Sequence, residues 1–592
     1  MPQLPEGMTM RCFRNRLGVG IAIVLGVAAL VAMQPAWGQN PCEKIVAACQ
    51  SAGFVRGGAA TGNGIVPDCV APIVQGIIPR RAGGRSLPQV DSQLVAACKA
   101  SNPNFGQTRA SRASADAAPE QTPVPAPPTM ANRAGHPNIV FILTDDLAWN
   151  LVQFMPHVLK MQKEGATFAN YFVTDSLCCP SRTSIFTGRY PHDTGVFRNT
   201  GDDGGYLAFV NHGNQRTTFA TALAAAGYRT AMMGKYLNGY FPAKHRPEPG
   251  WTTWAVAGHG YAEFKYALNQ DSRVVHYGEK PEDYLTDVIA GQGARFIRQS
   301  AGTPFLLEIA TFAPHAPYTP APRDANAFPG LRAPHTPAFD AQPDVNAAKW
   351  LTVHTPLTPA DIAAIDRDFR RRAQSVLAVD ALIGQLQAAV AAIGAQDNTY
   401  FVFSSDNGYH MGEHRLMPGK MTAYDTDIHV PLIVTGPGVL AGVAIDEIVE
   451  NVDLCPTFTE LGSAAAPPNV DGRSVVPLLH GQKVADWRTV ALVEHRGPHK
   501  DPTDPDAPAM RSGNPITYQA VRAKHAVYVE YEDGEKEFHD LAADPDELRN
   551  TYTSLPDDEK ATLHATLEAV KNCHDAKSCA AANALGRAKA LR

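Results

Sequence analysis

Three short apolar runs constrain the fold of this chain more than any other feature, because each stops abruptly at chemistry-bearing side chains. "PNIVFILTDD" ends in Asp145 and Asp146, "PFLLEIATFAPHAP" leads to His315, and "TYFVFSSDNG" ends in Asp406 and Asn407. A continuous apolar run of strand length marks a strand buried on both faces, as in a parallel sheet. Helical patterns such as "TTFATALAAAGY" and "FRRRAQSVLAVDALIGQLQAAVAAIG" lie between the runs. Strands alternating with helices predict an open α/β domain. Such sheets gather ligands at the carboxyl ends of their strands, which is where these polar groups fall.

At 592 residues the chain exceeds one ordinary domain, and 44% hydrophobic with 19% charged residues describes a soluble globular protein. A formal charge of -6 with no long basic run argues against nucleic acid as a partner. Arg11, Arg14 and Arg16 precede the apolar run Leu17 to Met33 and then "QPAWGQ", the layout of a secretory signal. The run is also long enough for an uncleaved anchor. No later segment reads as a membrane span. The sequence contains no Asn-X-Ser/Thr acceptor, which fits bacterial export to the periplasm or exterior.

Residues 1–38 are therefore expected to be signal, and 39–104 a small module stapled by Cys42, Cys49, Cys69 and Cys98. The Ala/Pro-rich stretch 105–135 reads as a linker, 136–486 as the α/β domain and 487–592 as a smaller α+β subdomain. "HAVYVEYEDGEKEFHDL" carries a hairpin signal around Asp-Gly, and a helical stretch follows it. In an oxidising compartment the four early cysteines and the pair Cys573 and Cys579 are expected to form three disulfides. Four cysteines allow three pairings. A zinc site is the rival reading, without CxxC pairs or histidines at ligand spacing to support it. Cys178, Cys179 and Cys455 lack an obvious partner.

Asp145, Asp146, Asp406 and Asn407 supply only oxygen ligands, and meeting in space they would cage a hard divalent cation, calcium or magnesium. Each pair could equally cap a following helix or turn. In "TDSLCCPSRTSIFTGRYPH" Pro180 suits the first turn of a helix and Gly188 its end, which puts Cys178 at a helix N-terminus that favours an anion. Arg182, one turn further, is placed to hold a negative ligand. Cys178 also fits a buried free thiol, or a partner for Cys455.

"CCPSRTSIFTGR" resembles the C-x-P-S-R and T-G-R signature of the type I sulfatases. "PNIVFILTDD", "GYRTAMMGKYLNGY", "FAPHAP", "FVFSSDNG" and "VDLCPTFTELG" with "VDGRSVVPLL" extend the likeness over roughly residues 136–560. Within the family, "GKYLNGY" and "DNTYFVFSSDNGYHMGEH" are similar to the N-acetylglucosamine-6-sulfatases and the related heparan 6-O-endosulfatases. The resemblance implies an alkaline phosphatase-like α/β fold, a large mixed, mostly parallel sheet sandwiched by helices, with 136–486 as the catalytic domain. It implies that a maturation enzyme converts Cys178 to Cα-formylglycine, whose hydrate is the nucleophile. Asp145, Asp146, Asp406 and Asn407 would hold the cation together with that group, with calcium expected and magnesium the alternative. Arg182 would orient the nucleophile, Lys235 and Lys420 would hold sulfate oxygens, and His315 would serve the leaving oxygen. Many sulfatases carry a histidine two residues after the lysine. Here that position is Leu237, and His410 is the residue proposed to take over, as a substrate-binding group.

The expected reaction is hydrolysis of a sulfate monoester on a sulfated small molecule or glycan, with a sugar 6-O-sulfate and an aryl sulfate as the candidate substrates. The alternatives are a formylglycine-dependent phosphonate monoester or phosphodiester hydrolase, and a non-catalytic sulfated-glycan-binding protein. Neither the specificity loop "GHGYAEFKYALNQDSRVVHYGEK" nor the N-terminal module carries a readable code.

Overall fold

A computed structural model describes residues 41–55, 65–75, 87–101 and 136–585. The signal and linker assignments lie outside the described residues. The chain divides into two units, Met1–Thr129 and Met130–Arg592.

In the first unit, helices α1 (Pro41–Ser51) and α2 (Ser92–Ser101) pack with a π turn at Ile65–Val70 and a short helix at Ala71–Gln75. Ile45, Phe54, Val70 and Val74 form a core too small to hold itself together. Two nested disulfides supply the rest: Cys42 pairs with Cys98, and Cys49 with Cys69.

The second unit is built on a ten-stranded sheet with strand order β10-β2-β9-β8-β1-β7-β3-β4-β5-β6. The central strands β1 (Asn138–Thr144), β3 (Arg229–Lys235), β4 (Thr253–Ala257), β7 (Phe305–Ala310) and β8 (Thr399–Ser405) run parallel. On one side, β5 (Ala267–Gln270) and β6 (Arg273–His276) add antiparallel; on the other, β9 (Leu432–Thr435) is antiparallel to both β8 and β2 (Ala166–Phe172). Strand β10 (Val443–Glu450) closes that edge parallel to β2.

Strand β1 shows why an unbroken apolar run is needed here. Ile139, Phe141 and Leu143 enter the core on one face of the sheet, and Val140 and Ile142 the core on the other. Helices α3 (Cys178–Thr187) and α6 (Leu454–Leu461) pack on the first face. Helices α4 (Leu285–Gln299) and α5 (Pro359–Ala392) pack on the second. Helix α5 opens with a capping box: Asp361 N donates to Thr358 Oγ1 (3.2 Å) and Thr358 N donates to Asp361 Oδ2 (2.8 Å), with Pro359 at the first helical position. By length and composition α5 could cross a membrane, but Phe369, Val376, Val379, Leu382 and Leu386 bury its apolar stripe in the domain core.

Strands β11 (Val490–His495), β12 (Tyr518–Ala523), β13 (Ala526–Tyr531) and β14 (Lys536–Asp540) form a second, antiparallel sheet. Its Ala491, Val493 and Tyr518 face join the main core, while Leu492, Val521 and Tyr528 pack on helix α7 (Asp557–Lys571). The β13–β14 turn is the expected hairpin, with Gly534 at φ 92°. Cys573 is bonded to Cys579 beyond α7. Cys178, Cys179 and Cys455 are buried and free.

Candidate active site

Strand register creates the centre of the site. Thr144 at the end of β1 is paired with Ser405 at the end of β8, so the residues that follow, Asp145-Asp146 and Asp406-Asn407, emerge side by side at the same height. Asp146 turns into the left-handed region (φ 63°), a conformation Asp tolerates better than most residues. Its N–H donates to Asp406 Oδ1 (3.2 Å), and Asn407 Nδ2 donates to Asp146 Oδ1 (2.7 Å). All four side chains are buried.

Neighbouring strands bring the cations. Lys235 ends β3, and its Nζ lies 2.6 Å from Asp145 Oδ2. Gly234 before it has φ 96°, and a Cβ there would sit 1.9 Å from Ala310 O, so β3 can approach β7 this closely only with glycine. The turn after β7 delivers His315, whose Nδ1 donates to Ala316 O (2.8 Å) while Nε2 lies 3.6 Å from Asp146 Oδ2. The aromatic ring of Tyr261 covers both, 5.0 Å from Lys235 Nζ and 4.6 Å from the His315 ring.

Helix α3 begins at Cys178 and every one of its residues is buried; it ends at Gly188 in the left-handed region (φ 72°). Cys178 Sγ lies 3.3 Å from Asp145 Oδ1 and 3.7 Å from Asn407 Oδ1, and Lys420 Nζ stands 3.0 Å from it. Arg182, one turn on, donates through Nε to Asp406 Oδ2 (2.7 Å) and through Nη1 to Lys235 O (3.0 Å). It thus locks the helix to two strand ends. Cys179 faces the other way, into the core, where its sulfur accepts from Asn238 N–H (3.0 Å).

Burial works against every charge here: pairing overcomes it at the cations, while at Asp145 burial prevails and raises the carboxyl despite Lys235. Asp145 holds Lys235 above the ordinary lysine range, and Asp146 with Asp506 does the same for Lys420. Asp146, Asp145 and Asp506 outweigh burial at His315 and favour the imidazolium. Burial, then the Asp145 and Asp506 charges, pushes the Cys178 thiol up. One ligand atom from each of Asp145, Asp146, Cys178 and His315 falls within 4.8 Å of the others. With Asp406 and the Asn407 amide oxygen alongside, the donor set fits a hard divalent cation.

Nine of the ten residues singled out from the sequence thus converge. His410 does not join them. Its Nδ1 is 3.0 Å from both oxygens of Asp427 and its Nε2 is 2.8 Å from Ser512 O, so both ring nitrogens serve the fold. Leu237 points into the core, and the polar group beside it is Asn238. Three residues carried no readable signal: Tyr261, Asn199 and Asp506. Asp506 lies in "DPTDPDAPAM", between β11 and β12, yet its Oδ1 sits 2.6 Å from both His315 Nε2 and Lys420 Nζ. Asn199 and Asn238 each donate to its Oδ2 (2.8 Å). A cleft of about 360 Å³ opens beside the cluster, lined by His315, Tyr318, Tyr409, Lys420, Asp506 and Met510.

The large mixed sheet sandwiched by helices has the fold of the alkaline phosphatase-like class. Within that class the chain belongs to the sulfatase family and is a sulfuric ester hydrolase: the Sulfatase family model matches residues 137–464, and that of the N-sulphoglucosamine sulphohydrolase C-terminal region matches 412–573. Human N-acetylglucosamine-6-sulfatase is 34% identical over 472 residues, covering 74% of this chain and 85% of its own. A solved structure of a protein in complex with its substrate D-glucosamine-2-N,6-O-disulfate superposes with TM-score 0.59 at 24% identity, over 73% of this chain and 97% of that one. The phosphonate monoester hydrolase of Silicibacter pomeroyi shares the fold with TM-score 0.58 at 20% identity, over 74% and 96% of the two chains.

Proposed function

We propose that this chain hydrolyses sulfate monoesters, with a 6-O-sulfated glucosamine as the substrate class, after export and after oxidation of Cys178 to formylglycine by a maturation enzyme. The observation that carries the reading is the position of Cys178. It is held at a helix start against Asp145 and Asn407, with Lys420 at 3.0 Å and Arg182 fixed one turn behind. The likeness to human N-acetylglucosamine-6-sulfatase supports the substrate class.

Converted to formylglycine, residue 178 would supply a hydrated aldehyde, with one hydroxyl as nucleophile and the other for release of sulfate. Asp145, Asp146, Asp406 and Asn407 would hold the cation, calcium first, whose chemistry would be Lewis-acid stabilisation of developing negative charge. Lys235 and Lys420, both buried, present fixed positive charge where charge builds on the sulfate oxygens. Arg182 keeps Asp406 and the strand ends in place, so the reacting groups are positioned before substrate binds. His315 donates through Nδ1 to Ala316 O, which turns Nε2 toward the cleft, where it would hand a proton to the departing alkoxide. The retained lysines, carboxylates and Cys178 argue against a purely glycan-binding role.

The phosphonate monoester hydrolase fold is shared, so catalytic preference is the test. Matured protein assayed with 4-nitrophenyl sulfate, bis(4-nitrophenyl) phosphate and glucosamine 6-O-sulfate is expected to favour the sulfates in kcat/KM. Preference for the phosphodiester would overturn the reading.

A further inference from the structure

Residues 499–514 leave the β11 side and return to β12 as a loop with a closed neck. His499 N donates to Asn514 Oδ1 (2.7 Å) and Asn514 Nδ2 donates back to His499 O (2.9 Å). Within it, Thr503 N and Oγ1 bond Asp501 Oδ1 (2.9 and 2.7 Å), and Asp506 N bonds Asp504 Oδ1 (3.0 Å). Pro502, Pro505 and Pro508 stiffen the arch further. Its far end is held by other elements: Arg511 Nη1 donates to Asp361 Oδ2 (2.9 Å), and Ser512 O accepts from His410 Nε2 (2.8 Å), so only the segment 501–510 between these anchors is free to lift as one piece.

The arch delivers one side chain into the site. Asp506 Oδ1 lies 2.6 Å from Lys420 Nζ, 2.6 Å from His315 Nε2 and 3.7 Å from Cys178 Sγ. Its Oδ2 is clamped by the Asn199 and Asn238 amides. Lys420 and His315 are the groups that the proposed function, on which this inference rests, assigns to sulfate and to the leaving oxygen. They cannot hold Asp506 and a substrate sulfate at once. Asp145 and Asp146 already pair with Lys235 and Lys420, which leaves His315 as the one group that Asp506 could balance, and the two asparagines that clamp it bear no charge. A sulfate monoester carries the same single negative charge as the carboxylate and likewise spreads it over terminal acceptor oxygens, so exchanging one for the other leaves the charge of the cluster unchanged.

We infer that Asp506 is a resident competitor for the sulfate subsite, and that segment 501–510 of this loop is a lid which lifts the carboxylate out of the cradle when substrate binds. Apparent affinity for sulfate is then lowered by the fraction of molecules with the lid seated; a closed-to-open ratio near ten weakens it about tenfold.

The test is calorimetric titration of inorganic sulfate into the matured, calcium-loaded protein and its D506N and D506A variants, with KM for 4-nitrophenyl sulfate measured alongside. Both variants are expected to bind sulfate about tenfold more tightly, with KM falling in parallel. Hydrogen exchange in peptides covering 501–510 of the wild-type protein is expected to rise on saturation with sulfate. Unchanged or weaker sulfate binding in the variants would overturn the inference and make Asp506 a positioning partner of His315. Lost calcium affinity with unaltered sulfate binding would overturn it by making Asp506 a metal ligand. Unchanged exchange in the wild-type loop would overturn it even if neither variant folds. Sulfate binding is read without turnover, so an inactive protein would count against the proposed function and leave this comparison intact.

Discussion

His315 shows how much of the proposed chemistry depends on single atoms. Its Nδ1–H is committed to Ala316 O, which leaves Nε2 as the nitrogen facing the cleft. A proton donor matters most when the leaving alcohol is a poor acid. His315→Asn is therefore expected to lower kcat by about 10²–10⁴-fold on glucosamine 6-O-sulfate and much less on 4-nitrophenyl sulfate, whose phenolate leaves unaided. Equal losses on both substrates would contradict proton donation. At this scale the sequence was readable wherever a residue ends a buried strand, as Asp145, Asp406 and Lys235 do. It was silent on Asp506, which reaches the site across a sequence separation of 191 from His315. It misdirected at His410, because adjacency to Asn407 along the chain says nothing about which way a loop turns its ring.

Elements that carry site residues are anchored by groups far from any strand end. Glu263 is buried, and its Oε2 accepts from Thr286 N and Oγ1 (both 2.9 Å) at the start of α4. Burial pushes its carboxyl up to about 8, against the pull of those Thr286 bonds and of the Ala313 backbone just before His315. A carboxyl raised in the folded state binds a proton that the unfolded chain has already lost. Its contribution to stability is therefore complete below the unfolded value near 4.5 and is lost as pH rises through about 8. Thermal midpoints of the wild-type protein are expected to decline between about pH 5 and 8 more steeply than those of Glu263→Gln; identical profiles would contradict the assignment. The parallel strands were legible as unbroken apolar runs. The β5–β6 hairpin was not, because its turn is Asp271-Ser272 with φ of 49° and 75°, lacking the glycine that usually announces such a turn.

For the whole molecule, the distribution of cysteines separates structural from chemical roles. The nested pair of disulfides replaces the core that the N-terminal unit is too short to build, and losing such a bond costs about 2–5 kcal/mol in small domains. Mild reduction is expected to expose residues 41–101 to proteolysis while the sheet of the second unit resists, as fragment masses would show; the same fragments with and without reductant would contradict this. The sequence left the pairing of Cys42, Cys49, Cys69 and Cys98 open, because spacing carries no information about which helices meet. Cys178 and Cys179 stay free of each other because the start of α3 turns one toward Asp145 and the other into the core.

The central claim is that Cys178 ceases to be a cysteine, and the mass of the peptide containing it in the exported protein tests this most directly. Conversion of the thiol to the aldehyde is expected to remove about 18 mass units from the unmodified peptide. An intact thiol at position 178 in protein that hydrolyses sulfate esters would contradict the account.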